Sequence, residues 1–142
     1  MKIWALILSA TCLLFTSCKT TKQTGGTLDS PPPGAFEFTK ISQDKTYGYT
    51  ENNPVMVGGV VDSEGPTNER KFLDALAGPN GEEITYERTR SCCNFKTKNG
   101  FMGGGLLDVY ELKWKGQAEP IELYINMYDF QPLKVPFGLT RK

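Results

Sequence analysis

Apolar side chains recur every three or four positions between residues 67 and 77, which is the spacing of one face of a helix. Phe72, Leu73 and Leu76 form the apolar side of this segment, and we expect Glu69 to lie with its charged neighbours on the opposite, solvent side. A glycine and a proline follow directly and end the helical pattern. The spacing therefore predicts one amphipathic helix over 67–77.

The apolar positions elsewhere follow the two-residue alternation or the β-branched composition of strands. These stretches are 54–61, 83–88, 106–114 and 121–128, and residues 36–38 are a candidate edge strand. A short connection between the last two strands predicts a hairpin. With a single helix, this order indicates an α+β fold: an antiparallel sheet of four to five strands with one helix packed on one face.

Aromatic residues occupy both faces of the predicted hairpin. Tyr110 and Trp114 share one face of their strand, whereas Tyr124 and Tyr128 lie opposite the aliphatic row of theirs. One helix cannot cover a sheet of this size. Either the C-terminal stretch 133–139 and the N-terminal segment cover the second face, or an aromatic patch is exposed for a partner. These four residues are our candidate partner-binding set.

The first 17 residues have the pattern of an exported protein. Lys2 precedes an apolar stretch from Ile3 to Phe15, which is shorter than the about 20 residues needed to span a bilayer. Small residues follow, as they do before a signal peptidase cleavage site. We interpret residues 1–17 as a signal peptide.

The sequence Leu14-Phe15-Thr16-Ser17-Cys18 resembles a bacterial lipobox, with Phe15 where leucine is usual. The resemblance implies cleavage before Cys18 and attachment of acyl chains such as palmitate, which would hold the mature protein on a membrane. Lys19 replaces the aspartate that retains such lipoproteins in the inner membrane, so we expect an outer-membrane anchor facing the periplasm. The alternative is ordinary secretory cleavage.

Residues 18–35 are rich in Thr, Gly, Ser and Pro and carry little apolar surface. Such a composition cannot offset the entropy cost of ordering, so it predicts a flexible tether after the lipidated cysteine. The remaining residues, 36–142, are enough for one domain of ordinary size.

Composition excludes several classes of function. The chain contains no histidine, which removes histidine-based acid–base chemistry, Ser-His-Asp and Cys-His relays, and the usual histidine-bearing zinc sites. Sixteen basic residues balance sixteen acidic ones, so no electrostatic footprint for nucleic acid is expected. We assign no catalytic residue, no metal ligand and no cofactor.

Two other patterns have structural interpretations. Gly103-Gly104-Gly105 precedes a strand rather than a helix, so we interpret 99–105 as a tight connection and not as a phosphate loop. The carboxylates of the hairpin, Asp108 among them, are expected to be solvated or hydrogen-bonded. Because Asp108 and Tyr110 share one side of their strand, an Asp108 lined by apolar groups is the alternative.

Cys92 and Cys93 are the remaining thiols of the predicted domain and are neighbours in the chain. An exported protein meets an oxidising compartment, where a local disulfide clip is one interpretation. A redox switch or an intermolecular bridge is a second, and Arg88 and Arg90 nearby would lower a thiol pKa. A soft-metal site is a third.

Three stretches of the domain, 46–59, 65–112 and 123–138, resemble a group of small bacterial lipoproteins, most specifically from Ser91-Cys92-Cys93 to Gly105. Members are often catalogued as 2-dehydro-3-deoxyphosphooctonate aldolase, a lyase. Enzymes that bear this name resemble (β/α)₈ barrels of about 250 residues, which this chain cannot build. We therefore expect a lipid-anchored envelope protein that acts as a structural or partner-binding module, with an envelope protein as its partner. The alternatives are the catalogued aldolase and a thiol redox protein using Cys92 and Cys93.

Overall fold

A long antiparallel hairpin dominates the fold. In the computed structural model, which describes residues 28–142, the elements in chain order are β1 (Val55–Met56), helix α1 (Gly65–Asp74), β2 (Leu76–Ala77), β3 (Ile84–Lys96), β4 (Gly104–Trp114), β5 (Ile121–Asn126) and β6 (Thr140–Arg141). Strands β3 and β4 form the hairpin, and residues Val60–Asp62 and Phe101–Gly103 form two short 3₁₀ turns.

The main sheet has four strands in the order β1-β5-β4-β3, and β2 pairs with β6 in a separate two-stranded sheet. The predicted α+β class is confirmed. The main sheet is mixed rather than wholly antiparallel, because β1 runs parallel to β5. Parallel pairing needs a long crossover between the two strands, and α1, β3 and β4 supply it here.

Helix α1 packs on one face of this sheet, which we call the helix side. Leu112 of β4 and Leu123 and Ile125 of β5 point to this side and are fully buried. Phe72 and Leu73 of α1 pack into the same cluster and are 0% and 1% exposed. The helix side therefore holds the hydrophobic core.

The C-terminal stretch 133–139 adds Leu133, Val135 and Leu139 to this same core. Pairing of β6 with β2 holds the chain end beside the end of α1, so the stretch cannot reach the second face. That face presents exposed polar side chains such as Glu87 and Lys113. The expectation that the terminal segments cover the second face is therefore wrong for the C-terminal stretch.

Several elements differ in extent from their predicted ranges. Helix α1 starts at Gly65 and ends at Asp74, because Leu76 and Ala77 leave it to pair with β6. Strand β1 ends early, since Gly58 and Gly59 both adopt positive φ shortly after it, beyond Val57. Strand β3 instead continues past residue 88 to Lys96.

Residues 36–38 do not form the candidate edge strand. The chain turns through residues 33–36, where the amide of Glu37 donates to the carbonyl of Gly34 at 2.9 Å. Phe38 then enters the core, and its ring stacks on that of Phe72 at 5.1 Å between centroids. This segment therefore contributes a buried ring to the core and not a paired strand to the sheet.

The described chain already contacts the domain at its first residues. The amide of Leu28 donates to the carbonyl of Phe130 at 3.0 Å, and the reverse bond is 2.9 Å. Asp29 pairs with Lys98 at 2.8 Å. Residues 28–35 of the predicted tether thus lie along the domain, whereas the predicted signal peptide and Cys18 lie outside the described residues. Within residues 28–142, no helix is long and apolar enough to cross a membrane.

Candidate functional site

Two buried carboxylates lie close together on the helix side of the sheet. Glu69 belongs to α1 and is 1% exposed, and Asp108 belongs to β4 and is 4% exposed. Both line one cavity, together with Tyr110. A pair of buried acidic groups is costly unless each is compensated. We call Glu69, Asp108, Tyr110 and the cavity beside them the acidic pocket.

The position of Glu69 corrects the prediction that it faces solvent. Phe72 and Leu73 follow it by three and four residues, so the helical period places all three side chains on the buried stripe. The signal was present in the sequence as this spacing. Because glutamate is seldom fully buried, its charge led to the wrong prediction that Glu69 faces solvent.

Asp108 is compensated by hydrogen bonds from β3. The guanidinium of Arg88 donates to Asp108 Oδ1 at 2.7 Å, and the hydroxyl of Ser91 donates to the same oxygen at 2.7 Å. A register irregularity between Arg88 and Arg90 lets both Arg88 and Ser91 face the helix side. Asp108 is therefore a buried, hydrogen-bonded carboxylate, as expected for the carboxylates of the predicted β4–β5 hairpin.

Glu69 is compensated less completely. The hydroxyl of Tyr110 donates to Glu69 Oε2 at 2.8 Å, and Glu69 Oε1 has no hydrogen-bond partner among the described residues. Burial, and then the negative charge of Asp108, raise the pKa of Glu69 to about 7. Burial also raises the pKa of Tyr110, which keeps its hydroxyl proton available for this bond. Glu69 therefore changes its charge near neutral pH.

A cavity of about 330 Å³ lies over these groups. Its walls combine apolar and charged residues, among them Pro66, Arg70, Tyr86, Arg88 and Met127. The ring of Tyr86 meets that of Tyr110 edge to face at 6.0 Å. This mixture of aromatic walls and a carboxylate floor suits a group that carries hydrogen-bond donors on an apolar stem.

A larger cavity of about 530 Å³ lies between residues 30–37 and the start of α1. Its polar groups already bond one another: the amide of Asn68 donates to the carbonyl of Gly58 at 3.1 Å, and Lys71 donates to Asn68 Oδ1 at 3.4 Å. Because the polar side chain buried there has partners, we place the candidate site at the smaller acidic pocket.

The four candidate partner-binding aromatic residues do not form one patch. Tyr110 is buried in the acidic pocket, and Trp114 lies at the other end of β4, against Gly78. Tyr124 lies on the second face, where its hydroxyl is 3.4 Å from Arg90 Nη2. The ring of Tyr128 packs edge to face on Phe95 at 5.8 Å. Of the set, Tyr110 alone belongs to the pocket, and it contributes its hydroxyl.

Cys92 and Cys93 are joined by a disulfide near the end of β3. The pairing of β3 with β4 becomes irregular directly after Cys92, and Cys93 has a φ of 61°. The two arginines expected to lower a thiol pKa are engaged elsewhere. Arg88 binds Asp108, and Arg90 binds both carboxylate oxygens of Glu122. Both guanidinium groups therefore bind carboxylates and not the cysteine sulfurs.

No group of three metal-binding side chains occurs within residues 28–142. Comparison of the chain with protein-family models, with curated proteins and with solved structures found no match. The resemblance to small lipoproteins therefore stays a prediction, and the acidic pocket has to be interpreted from its own geometry.

Proposed function

We propose that this protein is a lipid-anchored module of the bacterial cell envelope and that its domain acts by binding a partner. The lipobox-like sequence before Cys18 supports the anchor, and the acidic pocket supports the binding. The lipid would hold the domain at the membrane surface while the pocket remains in water. Envelope location on the outer membrane, facing the periplasm, is part of the same proposal.

The observation that carries the binding role is the buried Oε1 of Glu69, which has no hydrogen-bond partner among residues 28–142. A buried carboxylate oxygen without a partner costs about 1–3 kcal/mol, which an entering donor would recover. Aromatic and methionine side chains beside it favour a donor at the end of an alkyl stem. A lysine side chain on the partner has this form. Its positive charge would also favour the ionised form of Glu69.

Butylammonium is a direct probe of this role, since it reproduces the end of a lysine side chain. We expect saturable NMR shifts at Tyr86, Tyr110 and Met127 that strengthen as pH rises through about 7, because Glu69 then loses its proton. Glu69→Gln should abolish them. The matched control Glu122→Gln changes a carboxylate on the second face and should leave them intact. Equal shifts with uncharged butanol, or none with either probe, would refute the proposal.

Anchoring is tested separately in cells. Wild-type protein should incorporate a palmitate analogue and sediment with outer membranes, and Cys18→Ser should lose both properties. Labelling of the Cys18→Ser variant at the wild-type level would disprove lipid attachment at this residue.

Thiol redox chemistry is a second candidate, favoured by one observation: Cys92 and Cys93 are joined in the described structure. The resulting role would be reversible exchange of this disulfide with a partner dithiol. Replacing both cysteines by serine should then abolish any cellular phenotype of the protein, whereas an unchanged phenotype would dismiss this candidate. The catalogued aldolase activity stays a prediction from the resemblance.

A further inference from the structure

The tip of the β3–β4 hairpin, residues 97–103, exposes two large apolar side chains side by side. Phe101 is 88% exposed and Met102 is 90% exposed, whereas the other exposed large apolar residues of the described chain reach at most 51%. A pair of adjacent, almost fully exposed apolar side chains indicates a contact surface. Building on the proposed lipid anchor, we infer that this tip inserts into the surface of the membrane that carries the protein.

The backbone of the tip holds these side chains outward. Met102 has a φ of 52°, a conformation that few side-chain-bearing residues adopt, and Gly103 follows with a φ of 77°. A Cβ on Gly100 would lie 1.8 Å from the carbonyl oxygen of Gly104, so the loop is closed tightly. The exposure is thus a property of a defined turn and not of a loose end.

A network of hydrogen bonds fixes the base of the tip. Thr97 donates to Asp129 Oδ1 at 2.8 Å, and the side-chain amide of Asn99 donates to the same oxygen at 3.1 Å. Asn126 donates to the other oxygen of Asp129 at 3.1 Å. The tip therefore projects from a rigid part of the domain.

The start of the described chain lies beside this same tip. Asp29 contacts Lys98 at 2.8 Å and the side-chain amide of Asn99 at 3.3 Å. Cys18 precedes Leu28 by ten positions, which span at most about 36 Å even when fully extended. A lipid on Cys18 would therefore keep this end of the domain within about 36 Å of the bilayer, so the tip can reach the lipid surface.

Charge around the tip also suits a lipid surface. Lys96 is exposed at its base, where it would meet anionic headgroups while Phe101 and Met102 enter the acyl boundary. Lys98 is also exposed, but it is paired with Asp29. A bilayer is thus the occupant that matches the apolar pair, Lys96 and the position of the tether together. A second copy of this chain or an envelope protein would need a separate feature to match each of these three properties.

The test places a tryptophan at the tip of the full lipidated protein. Phe101→Trp protein is reconstituted into phosphatidylcholine–phosphatidylglycerol vesicles, with or without bromine on the acyl chains, and the wild-type emission from Trp114 is subtracted. The control is Ala118→Trp, an exposed position in the turn after β4. Because β4 has 11 residues, this control lies about 33 Å from the tip.

We expect the tip tryptophan to lose most of its emission on brominated lipid and the control to keep its emission. Equal quenching of the two variants, while the protein stays with the vesicles, would overturn membrane insertion and leave the anchor intact. A tip tryptophan shielded in a dimer and unquenched by lipid would also overturn it. Protein that leaves the vesicles would instead refute the anchor on which the inference rests.

Discussion

Glu69 is the residue whose observed position differs from the sequence-based prediction with the largest consequence for the chemistry of the protein. A glutamate on the buried stripe of a helix needs compensation, and here one hydrogen bond from Tyr110 and the nearby Arg88 provide part of it. Asp108 on the adjacent strand opposes it by like charge. The residue is therefore held near the point of losing or taking up a proton.

This state of Glu69 predicts a pH-dependent stability. An ordinary glutamate in the unfolded chain loses its proton near pH 4.5, whereas the fold keeps this one until about pH 7. The native state thus binds more protons over that window, and the free energy of unfolding should fall as pH rises from 4.5 to 7, by on the order of 3 kcal/mol. Urea unfolding measured at several pH values checks this.

Variants separate Glu69 from other titrating groups. Glu69→Gln should flatten this part of the pH profile, because the amide carries no charge to bury. Glu119→Gln changes an exposed residue of the β4–β5 turn and should reproduce the wild-type profile. Parallel profiles for wild type and Glu69→Gln would contradict the assignment.

The disulfide leads to a different prediction at the residue scale. Because Cys92 and Cys93 are neighbours, their bond closes almost no loop and removes little entropy from the unfolded chain. The Cys92→Ser, Cys93→Ser double variant should change the free energy of unfolding by less than about 1 kcal/mol. Guanidinium unfolding of the two proteins measures the difference, and a loss of several kcal/mol would show that the bond supports the fold.

At the scale of elements, the junction between β1 and α1 is set by two glycines. Gly59 has a φ of 101°, and a Cβ there would lie 2.2 Å from the buried side-chain amide of Asn68. Asn68 in turn donates to the carbonyl of Gly58, so the turn and the helix are fastened together. This close approach explains why the β-branched run stops as a strand at Met56.

Gly59→Ala should therefore destabilise the domain in two ways, through backbone strain and through displacement of Asn68. We expect a loss of about 3 kcal/mol or more in the free energy of unfolding. Gly81→Ala provides the matched control, since Gly81 has a φ of 86° but open space around its Cβ position; it should cost about 1 kcal/mol. Similar losses for the two variants would mean that strain alone matters.

At the scale of the whole molecule, the segment before residue 36 is part of the packing. Its first described residue exchanges two backbone hydrogen bonds with Phe130, at a point where β5 has already ended. Such bonds contribute about 1 kcal/mol each, and the exposed Asp29–Lys98 pair adds little. The segment thus fastens the tether to the domain more than it stabilises the core.

A chain shortened to begin at Phe36 should therefore still fold, with a free energy of unfolding about 1–2 kcal/mol lower than that of a chain beginning at Leu28. Amide exchange gives the sharper measurement. The amide of Phe130, which donates to Leu28, should lose protection, whereas that of Leu112 in the centre of β4 should keep it. Unchanged protection at Phe130 would show that the segment is not bound in solution.

The local periods of the chain correctly predicted the antiparallel pair of β4 and β5, the helix and the α+β class, because period-two and period-3.6 patterns depend on neighbouring residues. They missed the extension of β3 to Lys96, which depends on pairing with β4 rather than on its own composition. They also assigned residues 36–38 to a strand, where tertiary stacking of Phe38 on Phe72 prevails. The candidate site was found in part: Asp108 and Tyr110 were singled out, and Glu69 was not.

The sequence by itself determined the class of fold, the expectation of export and lipid attachment, and the exclusion of histidine chemistry, since these follow from local patterns and composition. Tertiary structure alone decided that Glu69, Asp108 and Tyr110 meet in one pocket and that the start of the described chain lies beside the hairpin tip. The physical reason is distance along the chain. Residues far apart in sequence come together only when strand register and helix packing are set, and no local pattern specifies either one.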